Sequence, residues 1–137
     1  KDEGAKVVLG GGRPEGYEKG FFVAPTLLVD VDPNSRIAQE EVFGPVISII
    51  TYDTEEEAIE IANNSMYGLA GAVYTEDTDR GLELVRQIRA GTVSVNNATA
   101  DFTLPFGGYK QSGVGREGGI EGLEEFMEIK TIHMPGA

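Results

Sequence analysis

The sequence contains no cysteine among its 137 residues. Without a thiol this chain can form no disulfide, no thiolate metal site and no cysteine nucleophile. Its single histidine, His133, has no clustered acidic residues around it, so the sequence predicts no metal site. These absences exclude three kinds of reactive centre from the chain itself.

Positive charge and long apolar runs are also scarce. The sequence has 11 Lys and Arg residues and 23 Asp and Glu residues, which gives a net charge of −12. This charge excludes nucleic acid as an expected partner. No apolar run approaches the roughly 18 residues of a membrane helix, and the sequence contains no signal-peptide pattern. We therefore expect no membrane partner and a cytoplasmic location. The chain starts with Lys1 rather than Met, which favours a piece of a longer polypeptide.

Strand and helix patterns alternate through the middle of the chain. A β-branched run at residues 46–52 predicts a strand covered on both faces. Further strands are predicted at residues 69–74 and 92–96, with helices at residues 54–63 and 77–90 between them. Short links between such elements require parallel strands and right-handed crossovers. The predicted fold is α/β, a three-layer architecture with a parallel-sheet βαβαβ core.

The last part of the chain predicts one short helix and one strand. The helix covers residues 119–127, and its inward face is predicted to comprise Ile120, Leu123 and Phe126. Residues 128–134 alternate weakly and predict a final strand, which either pairs across a subunit boundary or closes a small sheet of its own. We therefore divide the chain into a domain at residues 1–127 and a terminal strand and tail at residues 128–137.

The sequence E-E-V-F-G-P at residues 40–45 stands immediately before the first predicted core strand. Gly44 and Pro45 restrict the local backbone, so we expect a stiff turn at the foot of that strand. A carboxylate accepts hydrogen bonds only, which suits a pair of sugar hydroxyls, and the ring of Phe43 offers a flat apolar wall. On spacing alone, a solvated acidic pair and a core phenylalanine is the competing interpretation.

Five motifs resemble those of the NAD(P)-dependent aldehyde dehydrogenase superfamily, in the same order. They are F-V-A-P-T-L at residues 22–27, E-E-V-F-G-P at 40–45, M-Y-G-L-A at 66–70, P-F-G-G-Y-K-Q-S-G at 105–113 and G-R-E at 115–117. The resemblance implies that the cofactor is NAD or NADP. It also implies that Glu41 hydrogen-bonds the nicotinamide ribose hydroxyls and that Phe43 packs beside this ribose, whereas Glu40 has no such role.

The resemblance also assigns residues to the substrate side. It implies that Phe106 lines the aldehyde channel, with core packing as the alternative. It implies that Glu117 takes part in proton movement, with an ion pair to Arg116 or Lys110 as the alternative. Residues 97–104 correspond to a substrate-facing loop, in which Ala98, Thr99, Ala100 and Phe102 predict a moderately apolar entrance. No role follows from the sequence for Asp101 in this loop.

The resemblance implies a function only for a longer chain. The intact enzyme would oxidise an aldehyde to a carboxylic acid, and its cysteine nucleophile and general-base glutamate would lie upstream of residue 40. This chain would be the C-terminal part of the catalytic domain plus the oligomerisation strand of a homodimer or homotetramer, and would be inactive alone. The alternative is a stand-alone, non-catalytic assembly domain.

Overall fold

The computed structural model describes residues 3–97 and 101–136, so the entrance prediction for Ala98, Thr99 and Ala100 lies outside the described residues. The chain divides into two compact units, Lys1–Ser65 and Met66–Ala137. Both units combine short strands with helices. The α/β class predicted from the sequence is confirmed. The predicted boundary between residues 127 and 128 concerns a terminal strand and stays a prediction.

The first unit contains a three-stranded sheet and two helices. Its elements are β1 (Lys6–Leu9), β2 (Thr26–Val29), α1 (Arg36–Gln39), β3 (Val46–Ser48) and α2 (Glu55–Asn63). Strand β2 is central: it pairs antiparallel with β1 and parallel with β3, with Thr26 opposite Val46. This parallel pairing brings the start of β3, and the turn before it, beside the start of β2.

One face of this sheet carries the small core of the unit. Ala5, Leu28 and Val31 are buried there, and Ile37, Val46 and Ile50 are among the apolar side chains packed against them. On β3, Ile47 is 64% exposed. The prediction that residues 46–52 form a strand covered on both faces is therefore wrong for this chain: among the described residues, the core cluster packs against the face of β3 that carries Val46, and Ile47 points away from it.

Helix α2 begins as the sequence predicts. The Thr54 hydroxyl accepts a hydrogen bond from the Glu57 N–H at 3.1 Å. The Glu57 carboxylate in turn accepts the Asp53 N–H at 2.7 Å. Two main-chain donors at the helix start are thereby satisfied, which is the purpose of a capping box.

The second unit contains two two-stranded sheets. Its elements are β4 (Tyr67–Gly68), β5 (Ala70–Val73), α3 (Thr78–Val85), β6 (Thr92–Val95), β7 (Tyr109–Lys110) and α4 (Gly119–Glu124). Strands β5 and β6 pair in parallel around α3, and β4 pairs antiparallel with β7. The parallel pairing of β5 with β6, on either side of α3 in the chain, confirms one of the two predicted strand–helix–strand links. Strand β3 is hydrogen-bonded to β2, a pairing that the sequence did not predict.

The apolar side chains of α4 and of the turn after it are exposed. Ile120 is 61% exposed and Leu123 57%, and Phe126, two residues beyond the end of α4, is 89% exposed. The prediction that they face inward is wrong for this chain, because periodicity identifies an apolar face but not the element that covers it. Within the described residues, the segment 128–134 has no strand pairing. No helix in residues 3–97 and 101–136 is long and apolar enough to cross a membrane.

Candidate functional site

The turn before β3 is held by a series of main-chain hydrogen bonds. The Gly44 N–H donates to the Val42 carbonyl at 2.9 Å, and the Val46 N–H donates to the Gly44 carbonyl at 2.8 Å. The Pro45 carbonyl accepts the Thr26 N–H at 2.8 Å, which ties the turn to β2. Residues 40–45 therefore form the stiff turn at the foot of a strand that the sequence predicts.

The two adjacent glutamates of this turn have different surroundings. Glu40 accepts a hydrogen bond from Arg36 Nε at 2.8 Å, one helical turn earlier in the chain, and this ion pair raises the pKa of Arg36. In the described part of the chain, no side-chain hydrogen bond or ion pair engages the Glu41 carboxylate. Glu41 therefore keeps its acceptor oxygens available for a ligand.

Glu41 also borders a cavity of the first unit. The cavity has a volume of about 460 Å³, and Leu28, Ile37 and Val42 contribute to its apolar lining. Arg36 and Glu40 line it too, with their charges paired to each other. The Phe43 ring is 92% exposed. A carboxylate beside an apolar wall, next to an exposed ring, suits a ligand with hydroxyl donors and flat surfaces.

In the second unit, Phe106 and Glu117 form an isolated antiparallel β-bridge. Each donates its main-chain N–H to the carbonyl of the other, at 2.7 Å in both directions. Paired residues of this kind have side chains on the same face of the ladder. Phe106 is half-exposed and Glu117 is exposed. The structure thus brings together a predicted channel residue and a predicted proton carrier.

Residues 102–104 pack against the next residue after Glu117. Gly118 has a φ of +74°, and a Cβ added there would lie 2.9 Å from the Leu104 carbonyl oxygen and 3.0 Å from that of Phe102. Only a residue without a side chain fits so close an approach at this φ. The Phe102 side chain is 92% exposed. Phe102, Phe106 and Glu117 therefore belong to one part of the second unit.

The side chain of Arg116 holds the main chain of this part of the second unit through hydrogen bonds. Its guanidinium donates to the carbonyls of Gly108 at 3.1 Å and Gly115 at 2.8 Å, and it lies 5.6 Å from the centre of the Tyr109 ring. Among the described residues, no ion pair engages the Glu117 carboxylate. The alternative of an ion pair between Glu117 and Arg116 or Lys110 is thus not formed here, and the role of Glu117 in proton movement stays a prediction.

One contact between motifs was missed by the sequence reasoning. The Ser112 hydroxyl accepts the Gly68 N–H at 3.0 Å, and β4 pairs with β7 beside it. The M-Y-G-L-A motif is thereby joined to P-F-G-G-Y-K-Q-S-G, 44 residues further along. The sequence holds no periodic signal for this contact, since each strand has only two residues.

Comparison with known proteins agrees with this architecture. The sequence matches the family model "Aldehyde dehydrogenase family" over residues 1–132. A curated relative from Staphylococcus saprophyticus is 55% identical over 132 residues, which cover 96% of this chain and 28% of the relative. The motifs, the fold and this match define the chain as a piece of an α/β enzyme superfamily. The chain belongs to the aldehyde dehydrogenase family.

Solved structures of the family superpose closely on the chain. The Mycobacterium tuberculosis aldehyde dehydrogenase complexed with NAD⁺ is 56% identical, with a TM-score of 0.91 over 98% of this chain and 28% of that enzyme. A variant of aldehyde dehydrogenase C from Pseudomonas syringae, solved with NAD⁺ and octanal, is 48% identical, with a TM-score of 0.87 over 93% of this chain and 26% of that enzyme. The chain thus spans little more than a quarter of these relatives.

Proposed function

We propose that this chain is the C-terminal part of the catalytic domain of an NAD(P)⁺-dependent aldehyde dehydrogenase. The complete enzyme oxidises an aldehyde to a carboxylic acid. Support comes from the five motifs in family order and from relatives that were solved with NAD⁺. Because this chain has no cysteine, the proposal assigns the nucleophile to another part of the enzyme.

The surface of the chain supports a larger protein over a stand-alone assembly domain. Large apolar side chains are exposed in both units: Phe21 in the first unit is fully exposed, and Phe126 and Ile129 in the second are 89% and 97% exposed. Exposed apolar surface of this kind is typical of a surface that another part of a protein covers.

The contribution of the first unit is to position the cofactor. Glu41 presents both carboxylate oxygens at the rim of a cavity, where they can accept hydrogen bonds from the two hydroxyls of a ribose. The exposed Phe43 ring, two residues away, supplies an apolar surface for the same sugar. The bound nicotinamide supplies the acceptor for the hydride that leaves the substrate. A fixed ribose limits the positions that the adjoining ring can take, and such positioning is worth several kcal/mol of a barrier.

The contribution of the second unit concerns the aldehyde. Phe106 and Phe102 line the entrance with aromatic surface, and Glu117 carries protons away during hydrolysis of the acyl-enzyme. The double hydrogen bond between Phe106 and Glu117 supports this assignment, because it places the channel ring and the carboxylate on the same face of one main-chain pair.

Assembly is proposed through the terminal segment. Residues 128–134 would pair as a strand across a subunit boundary, giving a homodimer or homotetramer. The exposed side chains of Ile129, Ile132 and Met134 support this role, since an apolar segment without strand partners gains from pairing. The cofactor is proposed as NAD or NADP without a preference between them, and a cytoplasmic location stays a prediction.

The experiment compares two proteins. The complete enzyme, expressed from the full reading frame that encodes this chain, is assayed with butanal and NAD⁺ or NADP⁺ for reduced cofactor. The 137-residue chain is assayed in parallel. We expect turnover by the first and none by the second. A native reading frame that starts at Lys1, or turnover by the short chain, contradicts the proposal.

A further inference from the structure

Asp101 is held in a fixed position by its own loop. One of its carboxylate oxygens, Oδ1, accepts both the Thr103 N–H at 2.9 Å and the Thr103 hydroxyl at 2.6 Å. The Leu104 N–H donates to the Asp101 carbonyl at 3.1 Å, which closes a turn. The hydrogen bonds from the Thr103 hydroxyl and amide lower the pKa of the Asp101 carboxyl. Asp101 therefore carries a negative charge throughout the neutral pH range.

This charge stands beside the proposed aldehyde entrance. Asp101 precedes Phe102, and the carbonyls of Phe102 and Leu104 lie against Gly118, the neighbour of Glu117. Asp101 is the only charged residue in the stretch 101–106, which contains both entrance aromatics. Arg116, adjacent to Glu117 in the chain, directs its guanidinium to the main-chain carbonyls of Gly108 and Gly115, in the part of the unit that also holds β7. The carboxylate of Asp101 is thus tied to the main chain beside Phe102, one of the two aromatic residues proposed for the entrance.

We propose that Asp101 makes the complete enzyme select against aldehydes that carry a carboxylate, in favour of neutral or cationic aldehydes. The inference rests on the proposed function, because it takes Phe102 and Phe106 to lie at the entrance. A carboxylate that enters past Asp101 meets a like charge at short range. At an exposed site such repulsion lowers kcat/KM by about five- to tenfold. The aromatic surfaces attract an ammonium group instead.

The test uses three aldehydes on the complete enzyme that share the same four-carbon butanal chain. They are butanal itself, butanal with a carboxylate on its last carbon and butanal with a trimethylammonio group on its last carbon. We expect kcat/KM for the carboxylate to be about tenfold below that for butanal. Asp101→Asn keeps an amide oxygen that accepts the Thr103 hydrogen bonds but removes the charge. It is expected to raise kcat/KM for the carboxylate about five- to tenfold and to change the value for butanal less than twofold. Asp101→Ser, which also keeps an oxygen acceptor, is expected to act in the same direction.

Asp53→Asn is the matched control, because it changes the net charge equally at an exposed position of the first unit. It is expected to leave the ratio of the three kcat/KM values unchanged. If butanal is oxidised and the ratio of carboxylate to butanal is the same in Asp101→Asn and wild type, the inference about Asp101 is overturned and the proposed function stands. If the complete enzyme oxidises none of the three aldehydes, both fall.

Discussion

Phe106 and Glu117 are joined by two main-chain hydrogen bonds of 2.7 Å, which hold the two residues opposite each other. Both bonds are made by main-chain atoms. Replacing either side chain therefore leaves the pairing intact. The two predicted roles, an aromatic channel wall and a proton carrier, can be tested separately on the same framework.

Glu117→Gln in the complete enzyme is expected to lower steady-state kcat by about tenfold or more, because general acid–base groups contribute at least that much to the step they serve. The proposed role lies in hydrolysis of the acyl-enzyme, which follows hydride transfer. A rapid-mixing experiment should therefore show an unchanged burst of reduced cofactor followed by a slower steady state. A kcat within twofold of wild type would remove Glu117 from the mechanism.

Glu41→Gln is expected to lower kcat by about tenfold in the complete enzyme, since the amide has one acceptor oxygen and cannot bind two ribose hydroxyls equally well. Glu40→Gln is the matched control. Its carboxylate is already paired with Arg36 at the exposed surface, and such pairs contribute little to stability. The check is kcat and the KM for cofactor in both variants; equal effects would contradict a specific role for Glu41.

The different positions of Glu40 and Glu41 show what the sequence could and could not predict about the site. Arg36 and Glu40 are spaced i,i+4, a spacing that favours an ion pair on a helix. The Arg36–Glu40 pair was therefore predictable from a local signal once a helix is assigned to residues 36–39. The cavity beside Glu41 could not be predicted from the sequence, because its lining comes from β2, α1 and the turn, which meet only in the folded unit.

For the fold, too, features with a local sequence signal were predictable and contacts between distant residues were not. The start of α2 at Thr54 and the β5–α3–β6 crossover were predicted, because caps and periodicity are local signals. The contact between Gly68 and Ser112 was not, because residues 44 positions apart in sequence leave no periodic signal. The inward face predicted for Ile120, Leu123 and Phe126 was wrong, because an apolar pattern does not show which element covers it.

Arg116→Gln is expected to lower the free energy of unfolding of the complete enzyme by about 2–4 kcal/mol. The variant loses the charged donor to the Gly108 and Gly115 carbonyls and the contact with the Tyr109 ring. Denaturant unfolding followed by circular dichroism measures the change. Arg36→Gln is the control: its ion pair is exposed, so the unfolding midpoint is expected to stay nearly unchanged. Similar losses of stability in both variants would contradict a stabilising role for the Arg116 hydrogen bonds and ring contact.

Gly91→Ala is expected to destabilise the complete enzyme by about 1–3 kcal/mol, because a Cβ at this position would overlap the Gly107 carbonyl and the backbone would have to shift. The position of the Gly91 main chain is also held by a hydrogen bond, since its N–H donates to the Gly68 carbonyl at 3.0 Å. Gly12→Ala is the matched control, because a Cβ there meets no atom within 4 Å. It is expected to be neutral or to stabilise by up to about 1 kcal/mol, by restricting the unfolded chain. The check is the unfolding midpoint of each variant in denaturant. A Gly91→Ala enzyme as stable as the Gly12→Ala enzyme would mean that the P-F-G-G motif does not pack against Gly91.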